Sequence, residues 1–401
     1  AHRIESMMLD RDGLLWVGTW ANGVSLHDPL ATGFRLAPFR PGDPRFLPRP
    51  TATALAAAAG GKLWVGLNEE GGLVRLDPRA GVDTHSLHDP DDPRSLGASS
   101  VQSVLETRDG SLWVGSQTAG LSVRRAGTNG FLRFVTEADD PTSLRARNVS
   151  NLFEDRDGFV WVATMGAGVA RTCPSCVGFE SLEQISGGQR LPLQFVNLTR
   201  QTRDGAMWFG LRAGGLVRFD PATKSLASYP ADGSAGSLSS SLVTSLYEDG
   251  EGQLWVGTQG GGLNRGRRGP DGRYGFIALR RDNGLAADAI ASILPDGEGH
   301  LWVAHSVGIT RLRIADLAIV NHGAAEGAQG RGYFVGSAAI TAAGELAFGG
   351  LEGVTIFDPQ AVAQPRSPKA PIVAALRVLG PSRSRDQDPE TAGRRPERDG
   401  E

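Results

Sequence analysis

The sequence predicts an all-β fold, a β-propeller built from four-stranded antiparallel blades. Three observations predict it. A tryptophan-centred motif recurs along the 401 residues, a glycine turn precedes each copy, and each period has room for short strands only.

The motif reads G-L-L-W-V-G-T at residues 13–19 and returns at Trp64, Trp113, Trp161, Trp208, Trp255 and Trp302, with Ala347 in a degenerate eighth copy. Successive anchors lie 45 to 49 residues apart, and seven of the eight tryptophans fall on this phase. A fixed period of that length marks a repeat architecture. Three residues before each anchor stands a glycine, among them Gly110, Gly158 and Gly205, and Asp or Glu precedes it in six copies. Asp-Gly between two apolar runs is a hairpin signal, because glycine accepts positive φ without Cβ strain. A β-rich run such as VSNLFE leads into the turn, and LWVG leaves it. A glycine-rich turn and a GLVRFD-like run follow, then Asp-Pro, then a weaker run such as SLASY. Four short strands, a to d, in about 45 residues make a propeller blade. The recurring tryptophan packs between neighbouring blades, since no blade can bury both of its own faces. The Asp-Gly turns and the DDPRSL and DDPTSL stretches read as turn chemistry rather than catalytic or calcium-binding acids.

Composition narrows the function. A formal net charge of −3 gives no basic footprint for nucleic acid. The cluster Arg265, Arg267 and Arg268 reads as a solvated loop. No apolar run reaches the length of a membrane span, no signal peptide opens the chain, and its start at a strand reads as a fragment of something longer. Cys173 and Cys176 are the only cysteines; without a second pair they do not make a zinc site, and a local disulfide clip is the expectation. No metal and no cofactor are expected. Residues 1–359 read as the propeller, 360–379 as a Pro-rich connector with one apolar strand, and 380–401 as a disordered tail.

The repeat G-x-L-W-V-G-T…G-G-L-x-R-x-D-P resembles the two-component regulator propeller family over residues 1 to about 379. The last repeat, running into APIVAALRVLG, is similar to the family's closing blade and the start of an immunoglobulin-like domain. The resemblance implies a periplasmic sensor region of bacterial hybrid histidine kinases or membrane diguanylate cyclases, often responding to carbohydrates. It implies a downstream Ig-like domain and membrane signalling module, with a homodimer as an open possibility. It also implies seven-bladed rings, commonly in tandem. The last seven repeats are expected to close one ring, the first repeat belonging to a severed preceding ring; an eight-bladed ring is the alternative.

In a four-stranded meander the a–b and c–d turns share one rim, and the b–c turns and d-to-a connectors share the other. Four residues past each anchor the b–c rim is expected to present Trp20, Asn68, Gln117, Met165, Arg212, Gln259, Ser306 and Leu351, joined by His305. Such variable side chains on a fixed frame suit a small polar ligand, a sugar or oligosaccharide, through hydrogen bonds and a stacking face. A propeller lyase is the rival class and would need a base such as His305 or His88. Glu69 and Glu70, adjacent in sequence, cannot flank a glycosidic bond from opposite sides. A protein-interaction scaffold is the third class.

Overall fold

A computed structural model describes residues 4–11, 15–20, 23–27, 33–137, 139–173, 176, 178–189 and 193–362. Of the connector and strand expected at 360–379, residues 363–379 lie outside the described residues, as does the tail at 380–401.

Seven four-stranded sheets and one three-stranded sheet account for the strands. The first repeat supplies β1 (Ile4–Leu9), β2 (Leu15–Thr19) and β3 (Gly23–His27), which pair in that order. Its fourth strand, β4 (Phe34–Pro38), leaves them and pairs antiparallel with Gly353–Phe357, the third strand of the last repeat. The innermost strands, starting at residues 52, 101, 149, 196, 243, 290 and 333, each contact the next, and the last contacts the first. The ring therefore has seven blades, numbered here 1 to 7 from residue 52. The expected division of the first repeat from the ring is corrected in one respect: β4 is the ring's closing strand. Phe34 of β4 sits 4.6 Å from the Phe357 ring and 6.4 Å from that of Trp302, so closure is also made in the core.

Burial follows the interfaces. Seven hydrophobic clusters form, one per blade pair, each joining residues of two consecutive blades. Trp64, Trp113, Trp161, Trp208, Trp255 and Trp302 each join the cluster shared with the following blade and are at most 3% exposed. Ala347 takes that place where blade 7 meets blade 1. Trp16, outside the ring, is only partly buried, and every residue of β1 is exposed.

Two small features of the repeat let the blades meet. The glycine of LWVG receives the start of the next inner strand: a Cβ on Gly257 would stand 2.6 Å from Ile290 Cγ2. The leucine of the connectors (Leu47, Leu96, Leu144, Leu238) enters an interface cluster. The DDPRSL text is thus more than turn chemistry. Asp92 caps its own turn, accepting from Arg94 N at 2.8 Å, and so delivers Leu96 to the core. Helix is confined, among the described residues, to α1 (Leu182–Ile185) and three single 3-10 turns.

Candidate functional site

The a–b rim is closed by its own hydrogen bonds. Gly110, Gly158 and Gly205 occupy tight a–b hairpins with φ of +83°, +87° and +85°. An acid six residues before the tryptophan governs several of these hairpins, a position that the spacing of the motif does not single out. Asp249 Oδ1 accepts from Glu251 N and Gln253 N at 3.0 Å, while Oδ2 accepts from Trp255 Nε1 at 2.8 Å. Asp155 repeats the arrangement with Trp161, and Asp296 with Trp302. Where that position is threonine, the Asp of Asp-Gly takes over the turn, as Asp204 does for Thr202 and Ala206.

An arginine between these positions reaches the next blade. Arg203 Nη1 donates to Gly250 O at 3.0 Å, and its backbone N–H donates to Glu248 at 2.7 Å. Arg108 makes the same set of contacts with Glu154 and Arg156 O, and Arg156 with Gln201 and Arg203 O. These bonds link blades 2 to 5 in series. The arginine of GLVRFD packs on the anchors instead. Arg75, Arg171, Arg265 and Arg311 pair with them across the strands, 5.6, 5.9, 5.5 and 5.6 Å from their rings. Arg265, Arg267 and Arg268 accordingly belong to a strand, Gly262–Arg268, which corrects the loop expected there. Gln253 accepts from Arg265 and Arg267.

The b–c rim differs. Asn68, Gln117, Met165, Arg212 and Gln259 occupy one equivalent position in five blades. Each backbone N–H donates to the carbonyl just before its own inner strand (Thr51, Ser100, Asn148, Phe195 and Leu242), at 2.9 to 3.3 Å. That bond sets the five residues around the ring axis at one end. Gln117, Arg212 and Gln259 are exposed, Asn68 and Met165 partly so. Leu351 makes the same bond to Gly332 O, and Ser306 is exposed beside it in blade 6.

Two expected members do not join this group. Trp20 is in the turn that follows β2 of the three-stranded sheet, where it is 77% exposed. His305 is fully buried at the end of a central strand, Nε2 3.0 Å from Thr310 Oγ1 and Nδ1 accepting from Val307 N at 3.3 Å. It occupies the register position of Thr258 and Thr164, whose hydroxyls donate to the carbonyl across the b–c turn. Burial pushes its pKa down to about 4, so the ring is neutral and structural. That is the wrong place for a base serving the rim. Glu69 and Glu70 are exposed with φ of +51° and +61° in blade 1's turn, and His88 Nδ1 lies 2.7 Å from Leu96 O.

The connectors on this rim share one device, because Asp43, Asp92, Asp140 and Asp232 cap four of them alike. Beyond the b–c turn of blade 3, a cavity of about 710 Å³ lies between Ala167, Arg145, Gln194 and the segment carrying α1. Ser181 caps that helix, its Oγ accepting from Gln184 N. In blade 3's c–d turn Cys173 and Cys176 are joined, with Cα atoms 4.9 Å apart. A second cavity of about 310 Å³ opens on the ring axis, walled by the inner strands of blades 1, 2, 3, 4 and 7.

The architecture is that of a seven-bladed β-propeller with one further three-stranded sheet. Residues 1–21, 95–118, 143–166 and 237–260 match the model of the two component regulator propeller. Each match covers an a–b hairpin and its tryptophan where these lie in the described residues. No curated protein matches the chain in a sequence search. Among solved structures, the extracellular domain of a hybrid two component system from B. thetaiotaomicron is similar at TM-score 0.72 and 20% identity, over 96% of this chain and 49% of that one. A second such domain from the same organism aligns at TM-score 0.63 and 19% identity, over 90% and 48%. The chain thus spans about half the length of these two structures. A catalytically inactive virginiamycin B lyase from Staphylococcus aureus with quinupristin aligns at TM-score 0.59 and 12% identity, over 80% and 98%. At these identities the likeness is one of fold.

Proposed function

We propose that this propeller is the extracytoplasmic sensor of a bacterial two-component or cyclic-di-GMP receptor. It binds a small polar ligand, a sugar or oligosaccharide, at the b–c rim and does not transform it. The observation that carries this reading is the group Asn68, Gln117, Arg212 and Gln259. All four hang from one repeated backbone hydrogen bond, and no hydrogen bond within the protein engages their side chains among the described residues. Amide and guanidinium groups held this way match hydroxyl-rich ligands, and several modest bonds of about 1 kcal/mol each sum to useful affinity. The family repeats and the two extracellular neighbours support the signalling role and a periplasmic location. The Cys173–Cys176 bridge fits that compartment. Attachment to an Ig-like domain and a membrane kinase or cyclase, and homodimerisation, belong to the same reading.

Glycan-array screening followed by calorimetry tests it. Arg212→Ala and Gln259→Ala should each weaken the strongest glycan several-fold, while Arg79→Ala, in an exposed c–d turn of the other rim, should leave it unchanged. Equal binding by all three variants refutes the assignment. Consumption of the glycan by purified protein would promote the lyase class in its place.

A further inference from the structure

The residues facing each anchor across the a–b pairing form one layer of the inner strands: Ala56, Leu105, Phe153, Arg200, Tyr247, Leu294 and Ala339. Six have no charge. Arg200 is the exception, and it lines the axial cavity. Its Nη1 donates to Thr199 O at 2.8 Å and its guanidinium lies 5.8 Å from the Phe153 ring. No ion pair among the described residues includes it. Burial alone draws its pKa below the usual arginine value, with no neighbouring charge contributing. Most of its donors are unspent.

The other polar walls of the cavity divide in two. Thr53, Ser103 and Ser150 are committed to carbonyls of the following blade. Glu106, the lining carboxylate, accepts from Trp64 Nε1. Gln102 of blade 2 makes no side-chain hydrogen bond among the described residues. Asn151 of blade 3 uses its oxygen on Thr199 N and keeps its amide donors. Asn197 of blade 4 donates to Val243 O at 3.1 Å and keeps an acceptor. Three consecutive blades thus turn surplus donors toward a single space of about 310 Å³, near the lower limit for small-molecule pockets.

We propose that this axial cavity is a second ligand site, separate from the b–c rim, for a small hydroxylated carboxylate. Arg200 holds the carboxylate through paired N–H bonds, which suit a planar fork. Gln102 and Asn151 donate to the ligand's oxygens, and Asn197 accepts from a hydroxyl. A neutral polyol would forgo the charged contact and leave the guanidinium desolvated and uncompensated.

Calorimetry with gluconate, malate and citrate, against the uncharged glucitol, tests this directly. At least one carboxylate should bind saturably, and gluconate should exceed glucitol by about tenfold or more, the ordinary worth of a charge-assisted contact. Arg200→Gln should abolish that difference, and Gln102→Ala, which loses no bond within the protein, should weaken gluconate several-fold. Arg212→Ala on the rim should change neither, which separates this site from the rim reading. Absence of saturable binding by all three acids overturns the proposal. So does gluconate affinity that survives both Arg200→Gln and Gln102→Ala.

Discussion

The two rims of the ring are made from the same seven blades and spend their polar groups in opposite ways. On the a–b rim, Asp155, Asp249 and Asp296 use one oxygen on the hairpin and the other on an anchor indole. Arg108, Arg156 and Arg203 then tie the hairpins of blades 2 to 5 in series. On the b–c rim the backbone is fixed just as regularly, yet Gln117, Arg212 and Gln259 end in solvent. Regular backbone with uncommitted side chains is what a binding surface requires. Regular backbone with fully committed side chains is what holds seven sheets in a circle.

His305 crosses that division, being a b–c residue built into the ring, and it should produce the largest effect. Burial lowers its pKa from 6.5 to about 4, and His322, stacked on Trp302 at 5.6 Å, is lowered likewise by burial and by Arg311. A ring whose folded pKa is depressed is held neutral in the native state, whereas the unfolded chain takes up its proton near pH 6.5. Stability from this source is fully present above about pH 6.5 and is lost as pH falls toward 4. The loss reaches at most about 3 kcal/mol per ring. Urea midpoints measured from pH 7.5 to 4.5 should fall accordingly. His305→Thr, the residue other blades carry there, should flatten that fall; an unchanged slope would show that the rim histidine titrates freely.

Next in size is the a–b rim itself. Asp249→Ala removes acceptors from Glu251 N, Gln253 N and the buried Trp255 indole. Leaving buried donors unpaired costs about 2–4 kcal/mol in all. Thermal melts should show that loss, whereas Glu251→Ala, which leaves the Asp249 bonds in place, should show much less. Equal losses would mean the acid pair is interchangeable and the Asp249 bonds are unimportant.

Much of the ring was legible in the sequence because its determinants are local and repeated. The tryptophan period, the Asp-Gly turns and the LWVG strands fix the blade, and Gly110, Gly158 and Gly205 stand in the hairpins where the text puts them. Closure was harder to read, since β4 and Gly353–Phe357 are more than 300 residues apart and no spacing links them. His305, one position before the rim residue Ser306, was expected at the mouth and is instead buried. Counting from Trp302 puts it where Thr258 and Thr164 end their strands, so its burial was available from the register. Arg200 was also available, as a charge in a column of apolar residues opposite the anchors, but that column acquires meaning only when seven strands surround one axis.

The smallest expected effect is the one that divides the rims most cleanly. Arg203 bridges blades 4 and 5 through Gly250 O and a 3.5 Å pairing with Glu248, but its side chain is 54% exposed. Solvent screens such a pair, so Arg203→Ala should cost only about 0.5–1 kcal/mol. Arg212 is bound through its backbone alone, and alanine keeps that bond to Phe195 O. Its removal should therefore change stability by no more than about 0.5 kcal/mol. Paired chemical denaturation of the two variants resolves a difference of this size when their slopes agree. Should Arg212→Ala prove as destabilising as Arg203→Ala, the rim arginine carries a structural bond, and the b–c rim loses its claim to be the uncommitted face. Should it prove neutral and still weaken a glycan, the side chain is held for the ligand and for nothing else.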